Sequence, residues 1–304
     1  MYKFKRLLVC LDQSDMDETL IKAAAEYATF GKANNIYFVT VVKSLELPPS
    51  VNKKYPKMFL PIDEKIEQNM HKAIKNIFDR INCDFHFDVL EGDPTHQIIH
   101  WAQVKDIDLI ILGKKQYHIG KGVTSRNIVN IVHCSALFVT INSKIEPKSI
   151  LLPTDFSKAS RLAFQKAVKI ASMVKAKLTC LHTYEVPTGY HATGKTYDEF
   201  AEIMLHHSKE DFNDFLKNEA ISLPAVKSVH LLDKHGHPNK LISEYAQTHH
   251  FDLVIIGSKG RTALSSILLG SVAAKLVEAD FEVPILVIKA KDDNLKLRDI
   301  ILQI

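Results

Sequence analysis

The sequence predicts two tandem α/β domains, each a doubly wound sheet with helices on both faces. Three observations support this: apolar strand-like runs alternate with helix-like segments, the strand-like runs are apolar on both faces, and the pattern occurs twice in 304 residues. Strands of that kind are typical of parallel sheets covered on each side. The length allows each domain its own core. We expect domains over residues 1–144 and 145–290, followed by a tail over 291–304.

The two halves correspond element by element, which predicts one repeated unit. The first strands are expected at 7–12 and 150–155, each ending in an aspartate. Ser157 is a suitable N-cap for the helix that follows the second of them. Pro94 and Pro238 suit the first turn of the third helix of each half. The other expected segments are helices at 17–30 and 157–174, strands at 36–42 and 177–183, helices at 62–81 and 197–220, strands at 85–90 and 227–232, helices ending at 104 and 247, strands at 109–112 and 253–256, and last strands at 136–140 and 284–288.

The composition excludes several classes of protein. An apolar fraction of 46% with 24% charged residues is typical of a soluble globular protein rather than a disordered one. The formal charge of +4 is spread along the chain without a basic block, so no nucleic-acid partner is expected. No apolar run approaches the roughly 18 residues that span a bilayer, so no membrane association is expected. The first apolar run is also too short for a signal sequence, and we expect a cytoplasmic protein.

The cysteine and histidine patterns give no metal site. The four cysteines lack C-x-x-C spacing and are expected to be reduced residues in or near the core. The histidines do not converge with carboxylates or cysteines, so we expect exposed side chains rather than metal ligands. The histidines considered were His206, His207, His230, His235, His237, His249 and His250.

The second half carries a glycine pattern typical of phosphate binding. Gly257 and Gly260 follow the apolar run 253–256, and Gly270 and Ser271 come after nine further residues. Glycines at a strand end and at the start of the next helix let backbone N–H groups approach an anion, and the helix dipole favours negative charge there. The pattern predicts a cradle for the phosphates of a nucleotide.

Asp155 and two basic residues accompany this pattern, each with an alternative interpretation. Asp155 follows the first strand of the second half, so it would border the same crevice if the winding of the sheet reverses at that strand. An aspartate at such a position also commonly caps the next helix. Lys259 and Arg261 are placed to pair with phosphates, although a solvated basic loop has the same composition.

The order of elements and the complete G-x2-G-x9-G-S motif resemble the universal stress protein (UspA) family, over essentially the whole chain as a tandem pair. The resemblance implies a Rossmann-like parallel sheet of strand order 3-2-1-4-5 and ATP as the ligand in the second domain, with Mg²⁺ as an optional companion. It implies that Thr183 faces adenine through its backbone. Carried over by position, it implies binding roles for Pro153, Thr154, Asp155, Thr183, Ile256, Gly257, Gly260, Gly270, Ser271 and Val272.

The first half departs from that motif. Asp12 and Gly113 are present, but Gln116 replaces the second glycine and Val123 replaces the hydroxyl residue. The loop after Gly113 is also four residues shorter than its counterpart. A side chain at a glycine position and a β-branched residue at the helix start both obstruct backbone approach to a phosphate. We expect this half to be structural or to hold a different ligand.

We therefore expect a tandem stress protein that binds ATP in its second domain and acts as a nucleotide-responsive regulator. No residue is predicted to be catalytic, since the sequence offers neither a P-loop motif nor a nucleophile elbow. A slow ATPase, an adenylate-transferring enzyme, and a binder of another phosphate-bearing metabolite remain the alternatives. The two domains are expected to pair as an intramolecular pseudo-dimer, with homodimerisation open, and the apolar tail is expected to pack on its own body or on a partner.

Overall fold

The computed structural model describes residues 4–44, 62–78, 81–114, 122–144, 146–217, 226–260 and 269–290. The chain divides into two compact units, Met1–Ile145 and Glu146–Ile304.

The first unit is a five-stranded parallel sheet. Its strands lie in the order β3-β2-β1-β4-β5. The strands are β1 (Arg6–Leu11), β2 (Asn35–Val42), β3 (Asp84–Glu91), β4 (Leu109–Gly113) and β5 (Ser135–Val139). The helices among its described residues are α1 (Met16–Gly31), α2 (Ile62–Phe78), α3 (Pro94–Val104) and α4 (Gly122–Ile131).

The second unit repeats this architecture, with the order β8-β7-β6-β9-β10 and every pairing parallel. The strands are β6 (Ser149–Pro153), β7 (Lys177–Tyr184), β8 (Lys227–Leu232), β9 (Leu253–Gly257) and β10 (Ile285–Ile288). The helices described are α5 (Lys158–Val174), α6 (Tyr197–Lys217), α7 (Pro238–Thr248) and α8 (Ser271–Glu278), with a 3-10 helix at Thr188–Thr193. Numbered within each unit, both orders are 3-2-1-4-5, so the predicted fold class is confirmed.

The core of each unit lies on both faces of its central strands. Leu7, Leu8 and Val9 of β1 have no exposed surface, and the same is true of Ile150, Leu151 and Leu152 in β6. Burial on both faces explains why these strands read as continuous apolar runs rather than as alternating ones. Apolar burial of this kind is the main source of stability in such sheets.

A buried aspartate fixes the start of each central strand. In the first unit, the Asp108 carboxylate accepts the backbone N–H groups of Lys5 and Arg6, both at 2.9 Å. In the second unit, Asp252 accepts the corresponding N–H groups at the start of β6, at 2.8 and 3.0 Å. Each carboxylate precedes the fourth strand of its unit, so it ties the first and fourth strands together at the edge opposite to their carboxyl ends.

The helix starts follow the capping signals in the sequence. Pro94 and Pro238 are the first residues of α3 and α7. The Ser157 side chain accepts a hydrogen bond from the Ser160 N–H, so the predicted N-cap of α5 is confirmed. None of the helices in the described ranges is long and apolar enough to cross a membrane.

Candidate functional site

The central strand β6 stops at Pro153, so Thr154 and Asp155 follow the strand rather than end it. The predicted strand, 150–155, was therefore two residues too long. The reason lies in Phe156, whose φ of 62° is left-handed and turns the chain from the strand into α5. This turn places Asp155 at the carboxyl edge of the sheet, where ligands of doubly wound folds bind.

One oxygen of the Asp155 carboxylate is held by the first turn of α5. Oδ1 accepts the Ser160 hydroxyl at 2.5 Å and the Ser157 N–H at 3.1 Å. The Ser160 hydroxyl oxygen in turn accepts the Asp155 N–H at 3.2 Å. Oδ1 therefore stabilises the turn before α5, whose N-cap is Ser157, and these contacts fix the direction of the carboxylate.

The other carboxylate oxygen faces the glycine motif. Oδ2 of Asp155 lies 3.0 Å from the position that a Cβ atom on Gly260 would occupy. Any side chain at residue 260 would therefore press on the carboxylate. The chain segments after β6 and after β9, which are far apart in the sequence, thus meet across the crevice as predicted from the position of Asp155.

Gly257 lets the first turn of α5 pack directly on the end of β9. A Cβ atom on Gly257 would lie 2.9 Å from the carbonyl carbon and oxygen of Ala159, and 3.1 Å from the Ser160 nitrogen. These contacts are with backbone atoms, which cannot move aside as a flexible side chain would. Gly257 therefore allows α5 to approach β9 closely.

Gly260 and Gly270 lie side by side. The Gly270 N–H donates to the Ser258 carbonyl at 2.7 Å, and a Cβ atom on Gly270 would lie 3.3 Å from the Gly260 nitrogen. Gly270 is the N-cap of α8, and no side chain among the described residues caps that helix. The start of α8 therefore presents backbone N–H donors next to Gly260, as an anion-binding site requires.

Hydrogen bonds link the β6–α5 turn to β7. The Thr154 N–H donates to the Leu181 carbonyl at 2.8 Å, and the His182 Nδ1 lies 2.8 Å from the Thr154 carbonyl oxygen. Because a carbonyl oxygen only accepts, His182 Nδ1 is the donor. The rings of Phe156 and His182 are in contact, with centroids 4.4 Å apart. Thr183 is the next residue of β7, beyond the last residue that pairs with β6.

A model of the universal stress protein family matches residues 3–140 and 146–289, which covers both units. The chain belongs to the universal stress protein family. Universal stress protein MJ0531 of Methanocaldococcus jannaschii is 30% identical over 145 residues, 47% of this chain and 82% of that protein. Universal stress protein MJ0577 of the same organism is 26% identical over 160 residues, 48% of this chain and 96% of that protein.

Solved structures of similar proteins extend over the whole tandem. A functionally unknown protein, PA1789 from Pseudomonas aeruginosa, has a TM-score of 0.69 at 17% identity and covers 99% of this chain and 98% of its own. A universal stress protein from Archaeoglobus fulgidus has a TM-score of 0.63 at 16% identity and covers 95% of this chain and 99% of its own. At these identities the likeness establishes the fold alone.

The remaining predicted residues of this universal stress protein lie around the same edge, with one exception. Pro153 and Ile256 are buried at the ends of β6 and β9. Lys259 and Val272 are half-buried and Ser271 is exposed at the start of α8. Arg261 lies outside the described residues, as do Gln116 and the tail over 291–304.

Four residues with a structural role at the site were missed. Ala159 and Ser160 lie against Gly257, Ser160 also donates to Asp155, and Phe156 and His182 shape the turn. The spacing of a serine five residues after Asp155, in the first turn of a helix, was a usable signal for Ser160. The left-handed conformation of Phe156 had no such signal, because aromatic residues rarely adopt it.

One histidine differs from the expectation of exposed side chains. His206, His207, His235, His237, His249 and His250 are exposed, but His230 in β8 is half-buried. Its Nδ1 lies 2.7 Å from the Ser208 hydroxyl of α6, and its ring is 6.2 Å from that of His182. Burial, and then the neighbouring His182 and Lys209, lower the pKa of His230. The expectation was wrong here because α6 covers this face of the sheet.

The cysteines lie in or near the core, as expected from the sequence. Cys134 and Cys180 are buried, and Cys10 and Cys83 are half-buried. Burial raises the pKa of Cys180 to about 12 and that of Cys10 further. These thiols therefore stay protonated at neutral pH. Among the described residues, no cluster of histidine, cysteine and carboxylate side chains could hold a metal ion.

The corresponding edge of the first unit is built differently. Asp17 occupies the position of Ser160, and its carboxylate accepts the N–H groups of Asp12 and Gln13 at 3.1 and 2.9 Å. A carboxylate cannot donate to Asp12 as the Ser160 hydroxyl does to Asp155. A Cβ atom on Gly113 would meet the Met16 side chain at an ordinary 3.5 Å, so α1 does not pack on β4 backbone to backbone there.

Proposed function

We propose that the second unit binds ATP and that its occupancy makes the chain a nucleotide-responsive regulatory protein of the stress response. The observation that carries this proposal is the meeting of Asp155, Gly260 and Gly270 at one edge of the sheet, in positions where a Cβ atom would press on a neighbour. Such a concentration of side-chain-free backbone beside a helix start supports a phosphate ligand.

The phosphates would lie against Gly260, Gly270 and the first turn of α8. Backbone N–H groups and the positive end of the helix dipole favour negative charge at this place. The Ser271 hydroxyl is exposed at the helix start and can donate to a phosphate oxygen. Lys259, which lies between Gly257 and Gly260, would add a positive charge close to the phosphates.

The nucleoside would lie toward β6 and β7. Asp155 would accept the hydroxyl groups of the ribose, since a carboxylate held in one direction binds two adjacent hydroxyls well. Thr183 would face the base through its backbone groups, beyond the paired part of β7. The site would thus bind the phosphates, the sugar and the base through groups at the ends of three neighbouring strands, β9, β6 and β7.

Binding by the purified full-length protein tests the proposal. At a hundred times the dissociation constant, ATP would stabilise the fold by about 2.7 kcal/mol and raise the melting temperature measurably. Gly260→Val would abolish this shift, because the added side chain fills the cradle and presses on Asp155. Gly189→Val is the matched control, since nothing lies within 4 Å of a Cβ atom at Gly189.

Two further measurements separate ATP binding from the alternatives. Mass spectrometry of small molecules released by denaturing the purified protein distinguishes ATP from another phosphate-bearing metabolite. ADP production that disappears in Gly260→Val would indicate an ATPase. Failure of ATP to raise the melting temperature of the wild-type protein contradicts the proposal.

A further inference from the structure

We propose that His182 is a positioning residue that keeps the backbone N–H of Thr183 available for a nucleobase and so makes the site selective for a 6-aminopurine. This inference rests on the proposed nucleotide site in the second unit. His182 contacts the Thr154 backbone rather than the ligand. The observations that support this role are the hydrogen bonds at the point where β6 and β7 stop pairing.

The backbone groups of Thr183 point toward the crevice. In a parallel ladder, successive residues direct their N–H and C=O groups to opposite neighbours. The Leu181 carbonyl accepts from Thr154 on the β6 side, and the Tyr184 carbonyl accepts from Asp233 on the β8 side. Thr183 has the same parity as Leu181, so its N–H and C=O groups face the β6 side, where the strand has already ended.

Both partners that a continued ladder would give to Thr183 are engaged elsewhere. The next ladder bond would join the Thr183 N–H to the Thr154 carbonyl, but that carbonyl accepts from His182 Nδ1 at 2.8 Å. The bond after it would join the Phe156 N–H to the Thr183 carbonyl, but that N–H donates to the Thr154 hydroxyl at 3.2 Å. Within the described residues, no bond joins Thr183 to the β6–α5 turn.

The first unit shows the ladder without this interruption. The residue in place of His182 is Thr40, and its hydroxyl donates to the Met70 sulfur instead of a strand carbonyl. The β1–β2 register continues by one pair, Leu11 with Thr40, whereas β6–β7 stops at Pro153 with Leu181. A parallel ladder that includes this pair directs the Val41 N–H at the Leu11 carbonyl. The Val41 N–H, which corresponds to the Thr183 N–H, therefore already has a hydrogen-bond partner in the first unit.

The imidazole of His182 is held in place by its neighbours. Its ring packs on Phe156 at 4.4 Å and lies 6.2 Å from the ring of His230, which Ser208 holds from α6. Phe156 also lies 5.5 Å from Phe215 of α6. The bond from His182 to Thr154 is therefore part of a packed cluster rather than a contact of a mobile side chain.

A donor and an acceptor from one residue match the edge of a 6-aminopurine. The Thr183 N–H can donate to ring nitrogen N1, and its carbonyl can accept from the 6-amino group. In a 6-oxopurine the ring N1 carries a proton and the 6-oxygen accepts, so both contacts become repulsive. Sites that hydrogen-bond such groups reject an analogue with the wrong pattern strongly.

The test compares binding of ATP and inosine triphosphate, which share the sugar and phosphates, to the full-length protein by calorimetry. We expect the wild type to prefer ATP by about tenfold or more. His182→Leu would lower this preference about fivefold, the value of one neutral hydrogen bond, because Thr183 then pairs with Thr154. His182→Asn, which keeps a side-chain N–H near the Nδ1 position, would stay within about twofold of the wild type.

His249→Leu is the matched control, since it removes an exposed histidine that follows α7 and whose ring contacts Tyr245 rather than the β6–α5 turn or His182. It should leave the preference for ATP unchanged. An unchanged preference in His182→Leu, or an equal loss in His182→Leu and His182→Asn, overturns the inference while the nucleotide site stands. Absence of binding of either nucleotide to the wild type overturns the proposed function and this inference with it.

Discussion

The two units share one fold and differ at one edge of it. Their sheets have the same strand order, their central strands are buried on both faces, and an aspartate fixes the start of each central strand. At the carboxyl edge, Asp155 and Ser160 of the second unit correspond to two carboxylates, Asp12 and Asp17, in the first. The difference shows that similar core patterns give both units the same fold, whereas a few residues at the strand ends differ at the edge where we propose the nucleotide site of the second unit.

The largest expected effect tests what the units have in common. Asp108→Ala and Asp252→Ala each remove a buried carboxylate that accepts two backbone N–H groups. Orphaning those donors should lower the free energy of unfolding by about 3 kcal/mol in either variant. Urea denaturation measures this loss. A loss below about 1 kcal/mol in one unit alone would show that the two aspartates are not equivalent.

The next effect separates the units. Gly257→Ala places a Cβ atom 2.9 Å from the Ala159 backbone, whereas Gly113→Ala meets only the Met16 side chain at 3.5 Å. We expect the first change to destabilise the chain by about 2 kcal/mol, the range found for overpacking, and the second by less than about 0.5 kcal/mol. Thermal unfolding of the two variants checks this difference. Equal losses would contradict the distinct packing of α1 and α5.

Ser160→Asp makes the second unit resemble the first at the turn. The new carboxylate cannot donate to Asp155 and adds negative charge near the phosphates, so ATP affinity should fall about tenfold. The reverse change, Asp17→Ser in the first unit, should leave ATP affinity unaltered. Titration calorimetry at two salt concentrations measures both variants. An affinity unchanged by Ser160→Asp would mean that the direction of Asp155 does not matter for binding.

The smallest effect depends on pH. The first unit has Thr40 and Val89 where the second has His182 and His230, so only the second carries this histidine pair. Because the folded state lowers the pKa of His230, folding resists its protonation. The resulting stability is present above its ordinary pKa of about 6.5 and is lost as the pH falls through the lowered value. Urea midpoints of His230→Val should therefore fall less steeply below pH 6.5 than those of the wild type.

Much of the fold could be predicted from the sequence, because its signals are local or repeated. Ser157, Pro94 and Pro238 mark helix starts by their own chemistry, and the apolar runs locate every strand to within one or two residues. The order of the strands came from resemblance to a family, because spacing along the chain does not say which strands pair.

The site could be predicted only in part. Asp155 and the motif glycines were predicted because their spacing is a recognisable pattern, and the structure brings Asp155, Gly260 and Gly270 together. The roles of Ser160 and His182 depend on bonds to a carboxylate and to a strand carbonyl, and these exist only after β6 and β7 have paired. The left-handed conformation of Phe156 recurs at the equivalent residue of the first unit, Gln13, whose φ is 60°, so it belongs to the turn that both units share and not to the type of side chain.

The central claim is that the chain binds one nucleotide, in its second unit. Hydrogen exchange of the full-length protein, with and without saturating ATP, tests this claim most directly, and calorimetry gives the number of ATP molecules bound. The account predicts one ATP per chain. Protection should be confined to the second unit, at peptides that contain 154–160, 181–184, 257–260 and 269–272, with no change at 11–17 in the first unit. Two ATP molecules per chain, or protection at 11–17, would contradict the assignment of the nucleotide site to the second unit alone.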